Sequence, residues 1–120
     1  MELIGHFING ALNTEHSRTQ AVFNPSLGTQ TKEVALATKA TVEEAITAAE
    51  AAFPEWRNTP VIKRARVMFK FKELLEQNAE KICQLIGEEH GKIVHDAAGE
   101  LQRGIENVEY ACSEIGRAHV

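Results

Sequence analysis

The hydrophobic pattern of this chain changes period once, near residue 40. Before that point, short apolar runs alternate with turn-forming residues. Phe7-Ile8 and Ala11-Leu12 flank Asn9-Gly10, and Ala21-Val22-Phe23 runs into Asn24-Pro25-Ser26-Leu27-Gly28. Asn-Gly tolerates positive φ at both central positions of a two-residue turn, so the first pair predicts a tight hairpin. Residues 31–37 offer a second β-prone run, with Val34 and Leu36 on one face. A short N-terminal antiparallel β unit is expected.

From Thr41 onward the period is helical. Thr41-Val42-Glu43-Glu44 has the form of a capping box, in which a hydroxyl and a carboxylate satisfy first-turn amides. Val42, Ala45, Ile46, Ala49 and Phe53 then form one apolar stripe. Pro54 lacks an amide hydrogen and is expected to stop this helix near Phe53. Thr59-Pro60 predicts a restart, with Thr59 as cap and Pro60 at the first helical position.

The second helix places Ile62, Ala65, Phe69, Leu74 and Leu75 on its buried side. Val61, Val67, Met68 and Phe71 widen that stripe until the helix reads as sandwiched between partners. The basic residues Lys63, Arg64, Arg66, Lys70 and Lys72 read as its solvated face. Asn78 is the expected cap of a third helix, with Ile82, Leu85 and Ile86 inward and Gly91 as its left-handed stop. In the fourth helix Val94, Ala97, Ala98, Leu101, Ile105, Val108 and Cys112 hold one stripe over five turns. Asp96, Gly99, Glu100, Arg103 and Asn107 share a different face. The fold expected from the pattern is thus a β unit followed by about four α-helices.

At 120 residues the chain is one domain at most, with a modest core. Its 43% hydrophobic and 25% charged residues are those of a globular protein. A net charge of -4 gives no footprint for nucleic acid. No apolar run approaches membrane-spanning length, and Met1-Glu2-Leu3-Ile4-Gly5-His6 has neither signal-peptide nor transit-peptide character. A cytoplasmic protein without a membrane partner is expected.

Candidate chemistry is sparse. His90 and His95 are five apart across a glycine, so they do not share a helical face as zinc ligands would, and no metal site is expected. Cys83 and Cys112 form no C-x-x-C pair and sit within apolar patterns, which reads as buried, inert thiols without a disulfide. Gly99 and Gly104 have P-loop spacing but no following Lys-Ser/Thr, and they lie inside a helix. Their use is more plausibly the close approach of another backbone or a ligand. Arg103 stands out between them, because a planar guanidinium fork matches a carboxylate bidentately. The competing reading is an intrahelical pair with Glu100 or Asn107, which spacing alone favours.

Several segments together resemble the aldehyde dehydrogenases from about Gly5 to Cys112. They are Phe7-Ile8-Asn9-Gly10, Asn24-Pro25-x-x-Gly28, Ala48-Ala49 with Phe53-Pro54-x-Trp56, and Arg64-Ala65-Arg66 followed by Leu74-Leu75-Glu76. Within that superfamily, His90-Gly91-Lys92 and the run from Gly99-Glu100-Leu101-Gln102-Arg103-Gly104-Ile105-Glu106 onward are most similar to the CoA-acylating methylmalonate-semialdehyde branch. The resemblance implies an α/β aldehyde dehydrogenase fold, with residues 1–112 as the N-terminal part of its NAD-binding domain. It also implies NAD and CoA as cofactors, a small semialdehyde as substrate, and a homo-oligomer.

Carried onto this chain, the branch's substrate-binding arginine is Arg103, and the resemblance tips its reading towards holding a carboxylate. No catalytic residue is implied here, since neither cysteine has the nucleophile's context. By itself the chain is therefore expected to be inactive and of marginal stability. Residues 113–120 depart from the family pattern, and Glu114 to Val120 resembles a translated sequencing adaptor, so a non-native tail is expected at 113–120. Two rivals stay open: an aldehyde dehydrogenase that does not use CoA, and a small helical interaction module.

Overall fold

The computed structural model describes residues 1–114. The chain divides into two compact units, Met1–Arg57 and Asn58–Val120, the second described as far as Glu114.

The first unit contains strands β1 (Glu2–Ile4), β2 (His6–Ile8), β3 (Ala11–Asn13), β4 (Arg18–Asn24) and β5 (Thr29–Leu36), then helix α1 (Lys39–Asn58), whose last residue lies at the boundary. β2 and β3 pair antiparallel from His6↔Asn13 to Ile8↔Ala11. Their turn has Asn9 at φ 51° and Gly10 at φ 77°, the double positive φ that Asn-Gly predicts. β4 and β5 also pair antiparallel, with an irregularity at Val22/Phe23. The turn between them is held by Asn24, whose Oδ1 accepts from the Ser26 amide (2.9 Å) and whose carbonyl accepts from the Gly28 amide (2.8 Å).

The expected antiparallel unit needs one addition. β1 pairs parallel with β5, from Glu2↔Lys32 to Ile4↔Val34, making the sheet β1-β5-β4 mixed. A three-residue strand carries too little alternation to be read from sequence, and its partner lies about thirty residues away. β1 on one side and β4 on the other cover both edges of β5, which holds the buried Ala35.

α1 begins earlier and ends later than the pattern predicts. Thr38, not Thr41, is the cap: its Oγ1 accepts from the Thr41 amide at 3.2 Å and lies 3.0 Å from the Thr41 hydroxyl. Capping from Thr38 brings Lys39 and Ala40 into the helix and buries Thr41 in its first turn. Pro54 sits inside α1, which runs on to Asn58. Proline removes its own amide bond and crowds the carbonyl four residues back, but it does not prevent the following Glu55, Trp56 and Arg57 from continuing the helix. Val42, Ile46 and Phe53 of the expected stripe are exposed, while Ala45 and Ala48 are half-buried.

The second unit is three helices: α2 (Val61–Gln77), α3 (Ala79–His90) and α4 (Val94–Glu114). α4 packs on both others, and Ala65, Cys83, Ala97, Ile105 and Cys112 form the core. Small residues at these crossings let the helix axes approach; Ala97 is fully buried.

Several expectations for α2 change. Pro60 is the cap residue with extended backbone (φ -52°, ψ 141°), one position before the place predicted for it, and no side chain caps this end. Instead the Lys63 and Arg64 amides donate to the Pro60 carbonyl. Arg64 is buried, not solvated: its Nε donates to the Thr59 carbonyl at 3.0 Å, closing the turn that precedes the helix. Lys72 is half-buried and bonds Glu76 on its own helix (2.6 Å) and Glu109 on α4 (3.6 Å). The hydrogen bond to Glu76 is the main reason its ammonium is held above the usual lysine range, with the charges of Glu76 and Glu109 adding to it. The sandwiching partners expected for α2 are not among the described residues, since Val61, Ile62, Val67, Phe69, Phe71 and Leu74 are exposed.

Asn78 serves both α2 and α3. Its side chain donates back to the Leu74 carbonyl (2.8 Å), while its backbone carbonyl accepts from the Ile82 amide. Ile82 and Ile86 are half-buried as expected, but Leu85 is exposed and Cys83 takes the buried position. Gly91 ends α3 at φ 87°, its amide donating to the Gly87 carbonyl at 2.9 Å. The tail expected at 113–120 begins inside α4, and residues 115–120 lie outside the described residues.

Candidate site at the start of the fourth helix

The left-handed turn at Gly91 reverses the chain so that Lys92 faces the first turns of α4. The Lys92 Nζ donates to the Glu100 carboxylate, eight residues on. That hydrogen bond is the main cause holding the Glu100 carboxyl below the usual carboxylate range, followed by the Lys92 charge, with smaller contributions from His90 and Arg103. The two side chains keep 28% and 45% of their surface in solvent, so the pair is a surface tether, not a buried ion pair.

Arg103 lies one turn further along α4. Helical side chains lean towards the N-terminus of their helix, over the residue four positions back. For Arg103 that residue is Gly99, and a Cβ built there would meet the Arg103 Nη1 at 3.7 Å. The guanidinium therefore rests where any larger side chain at 99 would touch it.

Neither predicted intrahelical partner engages this guanidinium. Glu100 bonds Lys92, and Asn107 donates to the Arg103 backbone carbonyl at 2.9 Å. Lys92, His95, Asp96, Gly99 and Arg103 line an open recess of about 330 Å3. His95 Nδ1 lies 3.5 Å from Asp96 Oδ1. With Glu100 bonded to Lys92, the planar donor set of Arg103 lines an open recess with ample room for a small organic acid. A guanidinium binds a carboxylate bidentately.

Other sequence-predicted features are placed less informatively. Gly104 faces open space, so no neighbouring backbone uses it among the described residues. No group of three metal-ligating side chains occurs among the described residues. Cys83 and Cys112 are free, buried thiols in the helical core. In the turn from β5 into α1, which contains no glycine, the Thr38 hydroxyl takes the Thr41 amide. Sequence reasoning missed Lys92, because a contact across the Gly91 turn follows no helical spacing; the position of Lys92 just after a predicted left-handed stop was the available signal.

The chain matches the aldehyde dehydrogenase family over residues 12–120. It is 57% identical over 113 residues to malonate-semialdehyde dehydrogenase of Pseudomonas aeruginosa, covering 94% of this chain and 23% of that protein. The corresponding protein of Bacillus pumilus is 43% identical over 112 residues, again covering 23% of its length. Among solved structures, methylmalonate-semialdehyde dehydrogenase from Oceanimonas doudoroffii superimposes with a TM-score of 0.92 at 70% identity, covering 93% of this chain and 23% of that one. A Sinorhizobium meliloti 1021 structure complexed with NAD superimposes with a TM-score of 0.90 at 38% identity, covering 93% of this chain and 23% of that one. The chain thus spans less than a quarter of the length of the curated relatives it matches. The β unit and four helices are those of the aldehyde dehydrogenase fold, and the chain belongs to the aldehyde dehydrogenase family.

Proposed function

We propose that this chain supplies the carboxylate-holding helix of an NAD-dependent, CoA-acylating dehydrogenase of malonate or methylmalonate semialdehyde. The overall reaction is semialdehyde plus CoA plus NAD giving acyl-CoA, carbon dioxide and NADH. The observation that carries the reading is the Arg103 guanidinium, resting over Gly99 and bonded by neither Glu100 nor Asn107. The relatives named for malonate and methylmalonate semialdehyde support the substrate class, since both molecules carry a carboxylate beside the aldehyde.

The chain's own residues do not run the chemistry in this reading. Both thiols are buried, so the nucleophile that forms the thioester comes from a cysteine outside these 120 residues. NAD and CoA are cofactors of the whole enzyme in this reading, and a similar structure solved with NAD supports the first. Arg103 binds and orients the substrate carboxylate. The same reading makes the enzyme a cytoplasmic homo-oligomer; among the described residues no helix is long and apolar enough to cross a membrane.

The test uses the enzyme that carries this segment, with malonate semialdehyde, NAD and CoA. Mass spectrometry of the products is expected to find acetyl-CoA and carbon dioxide in step with NADH. Malonate as the oxidised product, with CoA unconsumed, would refute the CoA-acylating assignment.

A further inference from the structure

We infer that the Lys92–Glu100 ion pair is a positioning device that keeps Arg103 free for substrate. This rests on the reading of Arg103 given above and deepens it. Glu100 is three residues before Arg103, a spacing at which a carboxylate and a guanidinium meet on a helix surface. Left alone, Glu100 is the nearest competitor for the fork that the substrate carboxylate needs. Lys92, placed beyond the Gly91 turn, donates to that carboxylate instead.

The geometry makes the diversion specific. Arg103 lies back over Gly99 and lines the same recess as Lys92, so the two cations stand in one small volume beside Glu100, which Lys92 bonds. Glu100 still feels the Arg103 charge, though less than that of Lys92. The two cations therefore compete for one carboxylate, and Lys92 holds it. His95 and Asp96 also line the recess, with His95 Nδ1 3.5 Å from Asp96 Oδ1.

The inference predicts a defined pattern of kinetics in the enzyme that carries this segment. Lys92→Met releases Glu100 onto Arg103 and raises KM for malonate semialdehyde about 1.4- to 2.3-fold, the scale of one competing pair on a helix, while kcat stays the same. Lys92→Met with Glu100→Gln restores KM, because the competitor is gone. In an Arg103→Leu background, whose own KM is raised at least about tenfold by loss of a charge-assisted bidentate pair, Lys92→Met moves KM no further.

Three results overturn it. If Lys92→Met leaves KM unchanged, the pair does not govern Arg103. If the double variant stays as impaired as Lys92→Met, Glu100 is not the competitor. If Lys92→Met still raises KM in the Arg103→Leu background, Lys92 acts on the substrate by its own charge. Failure of the underlying reading is separate and visible: Arg103→Leu alone would then leave KM unchanged, and the inference falls with it.

Discussion

Ile105 and Val94 lie on the same apolar stripe of α4, yet the structure gives them opposite weight. Ile105 is 5% exposed, at the centre of the helical core, whereas Val94 is 74% exposed at the start of the helix. Ile105→Ala removes three buried carbons, about 0.8 kcal/mol each, or roughly 2.4 kcal/mol of transfer free energy. A cavity term adds to this, because the neighbouring core residues Ala65, Cys83, Ala97 and Cys112 are small and cannot collapse into the space. The total falls in the range of about 2–5 kcal/mol measured for such truncations. Val94→Ala removes carbons already in water and costs below about 0.5 kcal/mol. Urea titrations of the chain and both variants, followed by far-UV circular dichroism, give the two differences from the midpoints at constant slope. Equal shifts, or a loss below about 1 kcal/mol for Ile105→Ala, would refute the placement of α4 across α2 and α3.

Three further outcomes test local features. Thr38→Ala removes the cap of α1 and leaves the buried Thr41 hydroxyl without its partner, costing about 1–2 kcal/mol, and the Thr41 amide exchanges faster with solvent; an unchanged exchange rate would place the cap elsewhere. Gly91→Ala forces a Cβ into φ 87°, costing about 1 kcal/mol by urea titration, and no cost would mean the left-handed stop is not used. The Glu100 carboxyl is held below its ordinary value of 4.5 in the folded chain, so its contribution is present above that pH and is lost as pH falls through the lower folded value. Replacing Lys92 by Met in an Arg103→Leu background, where Arg103 cannot take up the released carboxylate, should flatten that acid limb of the stability curve, and an unchanged limb would disprove the tether.

How much was legible in the sequence depended on how local the cause was. Asn9-Gly10 and Gly91 were readable because a positive φ restricts residue choice at a single position. The α4 stripe was readable because Ala97, Ile105 and Cys112 recur at helical spacing and are all buried. The β1–β5 parallel pair was not readable, since three residues hold no periodicity and the partner is distant. The helix ends were misplaced where two candidates compete: Thr38 and Thr41 are both hydroxyls before good helix formers, and only the closed bond to Thr38 decides. Arg64 was hidden for a similar reason, because a basic run gives no sign that one member folds back on a carbonyl. Arg103 was singled out by chemistry and resemblance, whereas the Lys92–Glu100 bond beside it crosses a turn and follows no helical spacing.

The central claim is that Arg103 holds the carboxylate of the substrate. The most direct test compares kcat/KM for malonate semialdehyde and for propanal, which has no carboxylate, in the enzyme that carries this segment and in its Arg103→Leu variant. Loss of a charge-assisted bidentate pair predicts a fall of about ten- to a hundredfold or more for the semialdehyde, with propanal changed by less than about threefold. An equal fall for both aldehydes, or none for either, would contradict the account.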